Sequence, residues 1–148
     1  MGQSIFETNS FHDNYIHGVS YVDEEFSSDL IFDIDYIQEW FCSEVPCEFL
    51  IVPATLTFKM VSALVISITK PGYTLNSYLG IILEVTSEKL MDSRARYEIK
   101  MVDGNFIKLE AEGADLQVTG DPIKTKVQHL SSTERLTLIH RFRELSNQ

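Results

Sequence analysis

The stretch "RYEIKMVDGNFIKLEAEGADLQVTG", residues 96–120, decides the fold class. Apolar and polar residues alternate on both sides of Asp103-Gly104, and this dipeptide between alternating runs is typical of a type I′ hairpin turn. A second reversal is expected near Glu112-Gly113. The stretch therefore predicts a three-strand antiparallel meander with strands at about residues 96–102, 105–111 and 114–119.

Five further runs upstream have the alternation or the β-branched residues of strands: "NYIHGVSYV", "LIFDIDYI", "CEFLIVPATLTFKMV", "SALVISITK" and "YLGIILEVTS". The polar segment "DEEFSSD" separates the first two, which predicts an antiparallel hairpin. If the apolar sets share one face, Tyr21 lies opposite Leu30, Val19 opposite Phe32, and His17 opposite Ile34. This register predicts that His17 is a hydrogen-bonded histidine on the aromatic core side.

The last segment, "SSTERLTLIHRFREL", changes to the period of a helix. Ser131 and Glu134 have the spacing of a capping box, and an apolar stripe follows them. We predict one amphipathic helix at about residues 132–145. The expected fold is mainly β (α+β): one domain over residues 1–148, an antiparallel β-sandwich, roll or open barrel of about eight strands with this C-terminal helix.

Charge is distributed unevenly along the chain. The net charge is −10, and the first Lys or Arg is Lys59, whereas residues 1–50 contain 11 of the 22 acidic residues. This balance argues against nucleic acid as a partner. The same third contains ten of the 16 aromatic residues, so we expect it to be folded and to present its carboxylates as a face.

The sequence also predicts the cellular location of the protein and the redox state of its two cysteines. No apolar run approaches the roughly 18 residues that span a bilayer, and the N-terminus lacks the features of a signal peptide. We therefore expect a cytoplasmic protein with no membrane partner. Cys42 and Cys47 are expected to be reduced, small, partly buried side chains, because thiols in the cytoplasm usually stay reduced.

Two kinds of functional site are compatible with the N-terminal third. The first is a surface that binds a basic protein partner, for which the candidate residues are Asp33, Asp35, Glu39 and Trp40. The alternative is a small metal-dependent hydrolase or small-ligand site that uses His12, Asp33 and Asp35. No nucleophile elbow, phosphate-binding loop or zinc-protease motif is present, so we expect no cofactor and favour a non-enzymatic binding domain.

The segments "FHDNYIHGVSY", "LIFDIDYIQEW" and "PATLTFKMVSALVI" share a pattern with known proteins. Their order resembles a group of small, mostly uncharacterised bacterial proteins with a His-Asp start, an L-x-x-D-I-D-Y strand, a tryptophan and a T-L-x-F-x-x-V-x-x-L strand. Some of these look like immunity proteins of polymorphic toxin systems, which bind and neutralise a cognate toxin. The resemblance implies a β-rich bacterial domain first and a toxin partner second, and it carries no catalytic residues.

Overall fold

A long hairpin near the N-terminus forms the centre of the structure, a computed structural model that describes residues 5–8, 11–69 and 78–146. Strand β1 (Tyr15–Glu24) and strand β2 (Ser27–Phe41) pair antiparallel, and the two residues Glu25 and Phe26 join them. Apolar side chains at alternate positions of both strands point into one core, as the alternation predicts.

The predicted register of this hairpin is correct at Tyr21–Leu30 and Val19–Phe32. It is wrong at His17, because a register shift between Ile16 and Gly18 places Ile16, not His17, opposite Ile34. An extra residue in one strand of an antiparallel pair reverses the faces of the residues beyond it. Ile16 therefore keeps its place in the core, and His17 moves to the other side of the sheet.

The remaining elements extend this hairpin in both directions. They are α1 (Ile5–Thr8), β3 (Glu48–Lys59), β4 (Ser62–Ser67), β5 (Gly80–Lys89), β6 (Ala95–Met101), β7 (Phe106–Ala111), β8 (Gly113–Val118), β9 (Ile123–Thr125) and α2 (Ser132–Ser146). The strands of the described residues form one nine-stranded antiparallel sheet in the order β4-β7-β6-β5-β1-β2-β3-β8, with β9 also paired to β3. The mainly β fold with a C-terminal helix is confirmed, as an open sheet.

Two halves of this sheet pack against each other across one core. Among the described strands, β1 of one half and β5 of the other share a short ladder at Tyr15–Ile81 and Ile16–Gly80, and the chain also passes between the halves from β3 to β4 and from β7 to β8. Side chains from both halves belong to the same buried cluster, which includes Ile16, Leu30, Phe32, Leu56, Phe58, Ile82, Tyr97, Ile99, Ile107 and Leu109. Phe6 of α1 contacts Phe58 and Tyr97, so the short helix adds aromatic area to this core.

The predicted meander is half correct. Strands β6 and β7 form a hairpin, but β8 pairs with β3 instead of β7. The outer edge of β7 is occupied by β4, so the chain crosses to the other half at Glu112, whose N–H donates to the carbonyl of Lys59 at 2.9 Å. The turn is not type I′, because Gly104 takes a positive φ of 85° and Asp103 does not. The N–H of Gly104 donates to the carbonyl of Met101 at 3.3 Å.

The capping box of α2 is present as predicted. The hydroxyl of Ser131 accepts from the N–H of Glu134, and the carboxylate of Glu134 accepts from the N–H of Ser131, both at 3.1 Å. This reciprocal pair fixes the start of the helix. Leu138 of α2 packs with Leu130, Ile37, Phe49 and Ile51 in a second, smaller core on the opposite face of β2 and β3.

The expectation of two reduced cysteines is wrong in this structure. Cys42 and Cys47 form a disulfide at the ends of the β2–β3 loop. Pairing of Phe41 with Glu48 brings the two cysteine Cα atoms to 4.4 Å, which is within the range that a disulfide bridges. Cys47 also packs against the second core.

Replacing both cysteines with serine should lower the free energy of unfolding by about 2 kcal/mol, because the bridge closes only a short loop in the unfolded chain. Urea unfolding followed by circular dichroism measures this difference under oxidising conditions. Ser43→Ala in the same loop is the control and should change stability little. Equal unfolding midpoints for the wild type with and without dithiothreitol would contradict the bridge.

Candidate functional site

The carboxylate of Asp35 is completely buried, with 0% of the residue exposed, between the sheet and α2. One oxygen accepts from Nε2 of His17 at 2.6 Å and from the N–H of Leu130 at 2.7 Å. The other oxygen accepts from the guanidinium of Arg135, which also donates to the carbonyl of Ile34 at 2.8 Å. We call Asp35, His17 and Arg135 the Asp35 cluster.

Local strand geometry explains why these three side chains meet. Alternation along β2 places Asp33, Asp35 and Ile37 on the face opposite the main core. The bulge in β1 turns His17 onto that same face, and the first turns of α2 bring Arg135 over it. His17 is therefore mostly buried and hydrogen-bonded as predicted, but it lies beneath α2 and not on the aromatic core side.

The Asp35 cluster fixes one position of the helix on the sheet. A buried carboxylate is tolerated when a cation balances its charge and donors satisfy its oxygens, and Asp35 has both. Because a carboxylate only accepts hydrogen bonds, it holds His17 in the form with a proton on Nε2. Histidine paired with aspartate also occurs in acid–base catalysis, but here the same carboxylate is engaged by Arg135. The cluster therefore acts as an internal anchor for α2.

Aromatic side chains cover the flank of this anchor. The ring of Tyr15 stacks on His129 with centroids 4.7 Å apart, and Tyr78 meets Tyr15 edge-on at the same distance. Burial raises the pKa of Tyr15, and the nearby Tyr78, Asp13 and Asp35 raise it further. Tyr15 therefore stays neutral at physiological pH, and its stacking holds the segment that leads into α2.

The four residues predicted to bind a protein partner do not form one surface. Asp35 lies inside the protein, so its expected place on an outer acidic face is wrong. Asp33 is exposed on the α2 side of the sheet, and Trp40 is 41% exposed on that side, where its ring packs edge-on against Phe49. Glu39 is exposed on the other side, because a second bulge pairs it with Leu50.

The three residues of the alternative metal site are also separated. The Nδ1 atom of His12 lies 2.7 Å from the carbonyl of Leu83, and its Nε2 atom lies 3.6 Å from Asp13. The structure brings His17, not His12, to Asp35. Within residues 5–8, 11–69 and 78–146, no group of three or more His, Cys, Asp or Glu side chains could hold a metal ion.

The end of the β1–β2 hairpin carries an exposed site that sequence reasoning missed. We call residues Asp23, Glu24, Glu25 and Phe26 the hairpin tip; all four are exposed, and Phe26 is 85% exposed. None of its three carboxylates has an ion pair with a residue that the structure describes. The signal in the sequence is a single aromatic residue within "DEEFSSD", a segment whose polarity predicts only a loop.

The outer surface of α2 borders a second exposed feature. Two open depressions of about 340 and about 600 Å³ meet at Leu136 and Ile139. The smaller one reaches Asp33 and Gly18 on the sheet, and the larger one continues along the helix to Arg141 and Arg143. The larger one is lined only by residues of α2, so it is a shallow, open part of the helix surface. We call the two adjoining depressions the α2 groove.

Comparison with known proteins identifies no relative of this chain. No family model, no curated protein and no solved structure matches it. Among the helices that the structure describes, none is both long and apolar enough to cross a membrane. The geometry of the hairpin tip, the α2 groove and the Asp35 cluster is therefore the basis for a functional proposal.

Replacing Asp35 with alanine should lower the free energy of unfolding by about 3–5 kcal/mol, because Arg135 then keeps a buried charge without its partner. Asp33→Ala is the matched control: it removes an exposed carboxylate from the same face of β2 and should change stability by less than about 0.5 kcal/mol. Urea unfolding measures both variants.

The pair can be tested further with Arg135→Met and the double variant Asp35→Ala/Arg135→Met, which completes a cycle with Asp35→Ala. The double variant should be more stable than the sum of the two single losses predicts, because no unpaired charge remains. Equal losses for Asp35→Ala and Asp33→Ala, or additive effects in the cycle, would show that the cluster does not anchor α2.

Proposed function

We propose that this protein is a non-enzymatic binding domain whose hairpin tip engages a basic protein partner. One observation carries the proposal: Phe26 is 85% exposed at the end of a long hairpin and is flanked by exposed carboxylates. Moving an exposed aromatic side chain from water into contact with a partner is favourable and stabilises the complex. Aromatic residues are also frequent among the few side chains that dominate binding energy.

The charges at the tip favour a partner of opposite sign. Asp23, Glu24 and Glu25 occupy three consecutive positions, and the nearest basic residue in the strands β1, β2 and β3 is Lys59, which is 3.9 Å from Asp29. Carboxylates on a protruding turn steer a basic partner during encounter, and the aromatic ring then supplies contact area. The two features have complementary roles in one binding event.

The proposed binding surface is smaller than the acidic N-terminal third as a whole. Tyr21 is half-exposed on the same hairpin and Asp33 is exposed farther along β2, whereas Trp40 lies near the other end of β2, beyond the buried Asp35 and Ile37. Asp35 makes no contribution, because it is buried, and Glu39 faces away from Trp40. The proposed contact therefore centres on the turn.

The resemblance to immunity proteins gives the proposal its most specific form, in which the partner is a basic toxin and the binding domain acts in the cytoplasm. The disulfide is compatible with that location if the fold does not require it. Cys42 and Cys47 join strands that are already paired at Phe41 and Glu48, so the hairpin is held by its ladder when the thiols are reduced.

Reversing two charges at the tip should weaken binding without disturbing the fold. The variant Asp23→Lys/Glu25→Lys and the control Asp103→Lys/Glu112→Lys change the net charge equally, and all four residues are exposed. The partner is first captured with the wild-type protein and identified, and its affinity for each variant is then measured by calorimetry. We expect the tip variant to bind at least about tenfold more weakly, a loss of about 1.4 kcal/mol, and the control to bind like the wild type.

Phe26→Ser separates the aromatic contribution from the charge. It should increase the dissociation rate, whereas the charge reversals should mainly decrease the association rate at low salt. Unchanged binding by both tip variants, or equal weakening by the control, would rule out the hairpin tip as the binding surface.

A further inference from the structure

The exposed side of α2 has an unusual composition for a solvated helix face. Leu136 is 69% exposed beside Ile139, and together they form the apolar centre of the α2 groove. Arg141 and Arg143 are exposed at its C-terminal end, and neither has an ion pair with a residue in the described part of the chain. Glu144 also lines this end, where its carboxylate lies 3.0 Å from Nε2 of His140. The groove is therefore apolar in the middle and carries two guanidinium groups and one carboxylate at one end.

The hairpin tip has the complementary chemistry. Phe26 would supply an aromatic side chain to Leu136 and Ile139, and the neighbouring carboxylates would face Arg141 and Arg143. We propose that the hairpin tip of one copy of this chain docks in the α2 groove of a second copy. This inference rests on the proposed function, in which the tip is a contact surface for a basic protein.

The distribution of charge along the chain favours contact between the tip of one copy and the groove of the other. Each copy has a net charge of −10, so most approaches are repulsive, but the first 50 residues carry a charge of −11 and the remainder carries +1. Tip-to-tip contact brings like charges together and costs energy. Tip-to-groove contact pairs carboxylates with guanidinium groups that have no ion pair among the described residues.

The size of the contact predicts that the association is weak. A turn of two residues and its neighbours bury far less than the roughly 1,200–2,000 Å² of a stable complex, so the contact belongs to the transient class. Self-association would then occupy the tip only at high protein concentration. A basic partner that also binds the tip would displace the second copy, so the two interactions would be competitive.

The contact joins two different surfaces, and this makes it testable by complementation. A copy with an altered tip still has an intact groove, and a copy with an altered groove still has an intact tip. The tip variant is Glu25→Lys/Phe26→Ser, and the groove variant is Leu136→Ser/Arg143→Glu. All four residues are exposed, so both variants should keep the fold, which circular dichroism and thermal unfolding verify.

Sedimentation equilibrium from about 10 µM to about 1 mM covers the affinities expected of so small a contact. The average mass of the wild-type protein should rise with concentration, and each variant alone should remain monomeric. An equimolar mixture of the two variants should form a one-to-one complex, because one contact of the correct type is restored. Leu145→Ser is the matched control: Leu145 is also exposed on α2 but does not line the groove, so this variant should associate like the wild type.

A wild-type protein that remains monomeric throughout, a groove variant that still associates, or a mixture that forms no complex would each overturn the proposal. The same variants separate a failure of self-association from a failure of the proposed function, because the groove variant retains an intact tip. If the groove variant binds the basic partner normally while the wild type does not self-associate, only the docking of a second copy fails. If the tip variant binds the partner normally while complementation succeeds, only the proposed function fails.

Discussion

A carboxylate that water cannot reach needs a cation for its charge and donors for its oxygens, and the position of α2 depends on how Asp35 meets this requirement. Arg135 of the helix and Leu130 of the preceding segment both contact Asp35, while His17 contacts it from the neighbouring strand. The apolar contribution of α2 to this region is small, since Leu138 is its one buried hydrophobic residue in the described part of the chain. The polar anchor therefore supplies specificity of position that the second core alone would not.

Most of the fold could be predicted from the alternation of apolar and polar residues along the strands. Two β-bulges made the arrangement of side chains at the candidate site unpredictable from the same pattern. The predicted pairs Tyr21–Leu30 and Val19–Phe32 are correct because period-two patterns specify a face. One extra residue near His17 then changes which side chains share a face, and a second bulge separates Glu39 from Trp40 in the same way. Bulges are determined by packing on both faces of a sheet, so a local sequence pattern contains little information about them.

The sequence pattern also did not predict which strands pair when they lie far apart along the chain. The turn signal at Gly104 correctly marks a reversal, but the reversal expected at Glu112-Gly113 is wrong. The chain runs on from β7 into β8 there, because the pairs Ser62–Glu110 and Lys59–Gly113 continue one antiparallel register, and the local sequence does not say that β8 will pair with β3. That outcome depends on β4, which lies some forty residues earlier and occupies the free edge of β7. The disulfide has the same origin, because Cys42 and Cys47 become neighbours through the pairing of β2 with β3. The C-terminal helix was predictable because its capping box and stripe are local.

The acidic residues of the N-terminal third have at least three different physical roles, although their sequence suggests one surface. Asp35 is an internal ion-pair partner, Asp29 lies near Lys59 at the start of β2, and the hairpin tip carries exposed carboxylates with no described cation beside them. Net charge alone therefore overstates the binding surface, because burial and pairing remove part of it. The β1–β2 ladder positions the tip, whereas the smaller depression of the α2 groove, which lies between helix and sheet, requires the Asp35 cluster to hold the helix in place. The hairpin tip and the α2 groove thus depend on separate interactions, and a change that releases α2 from the sheet would remove the part of the groove that Gly18 and Asp33 line and leave the tip.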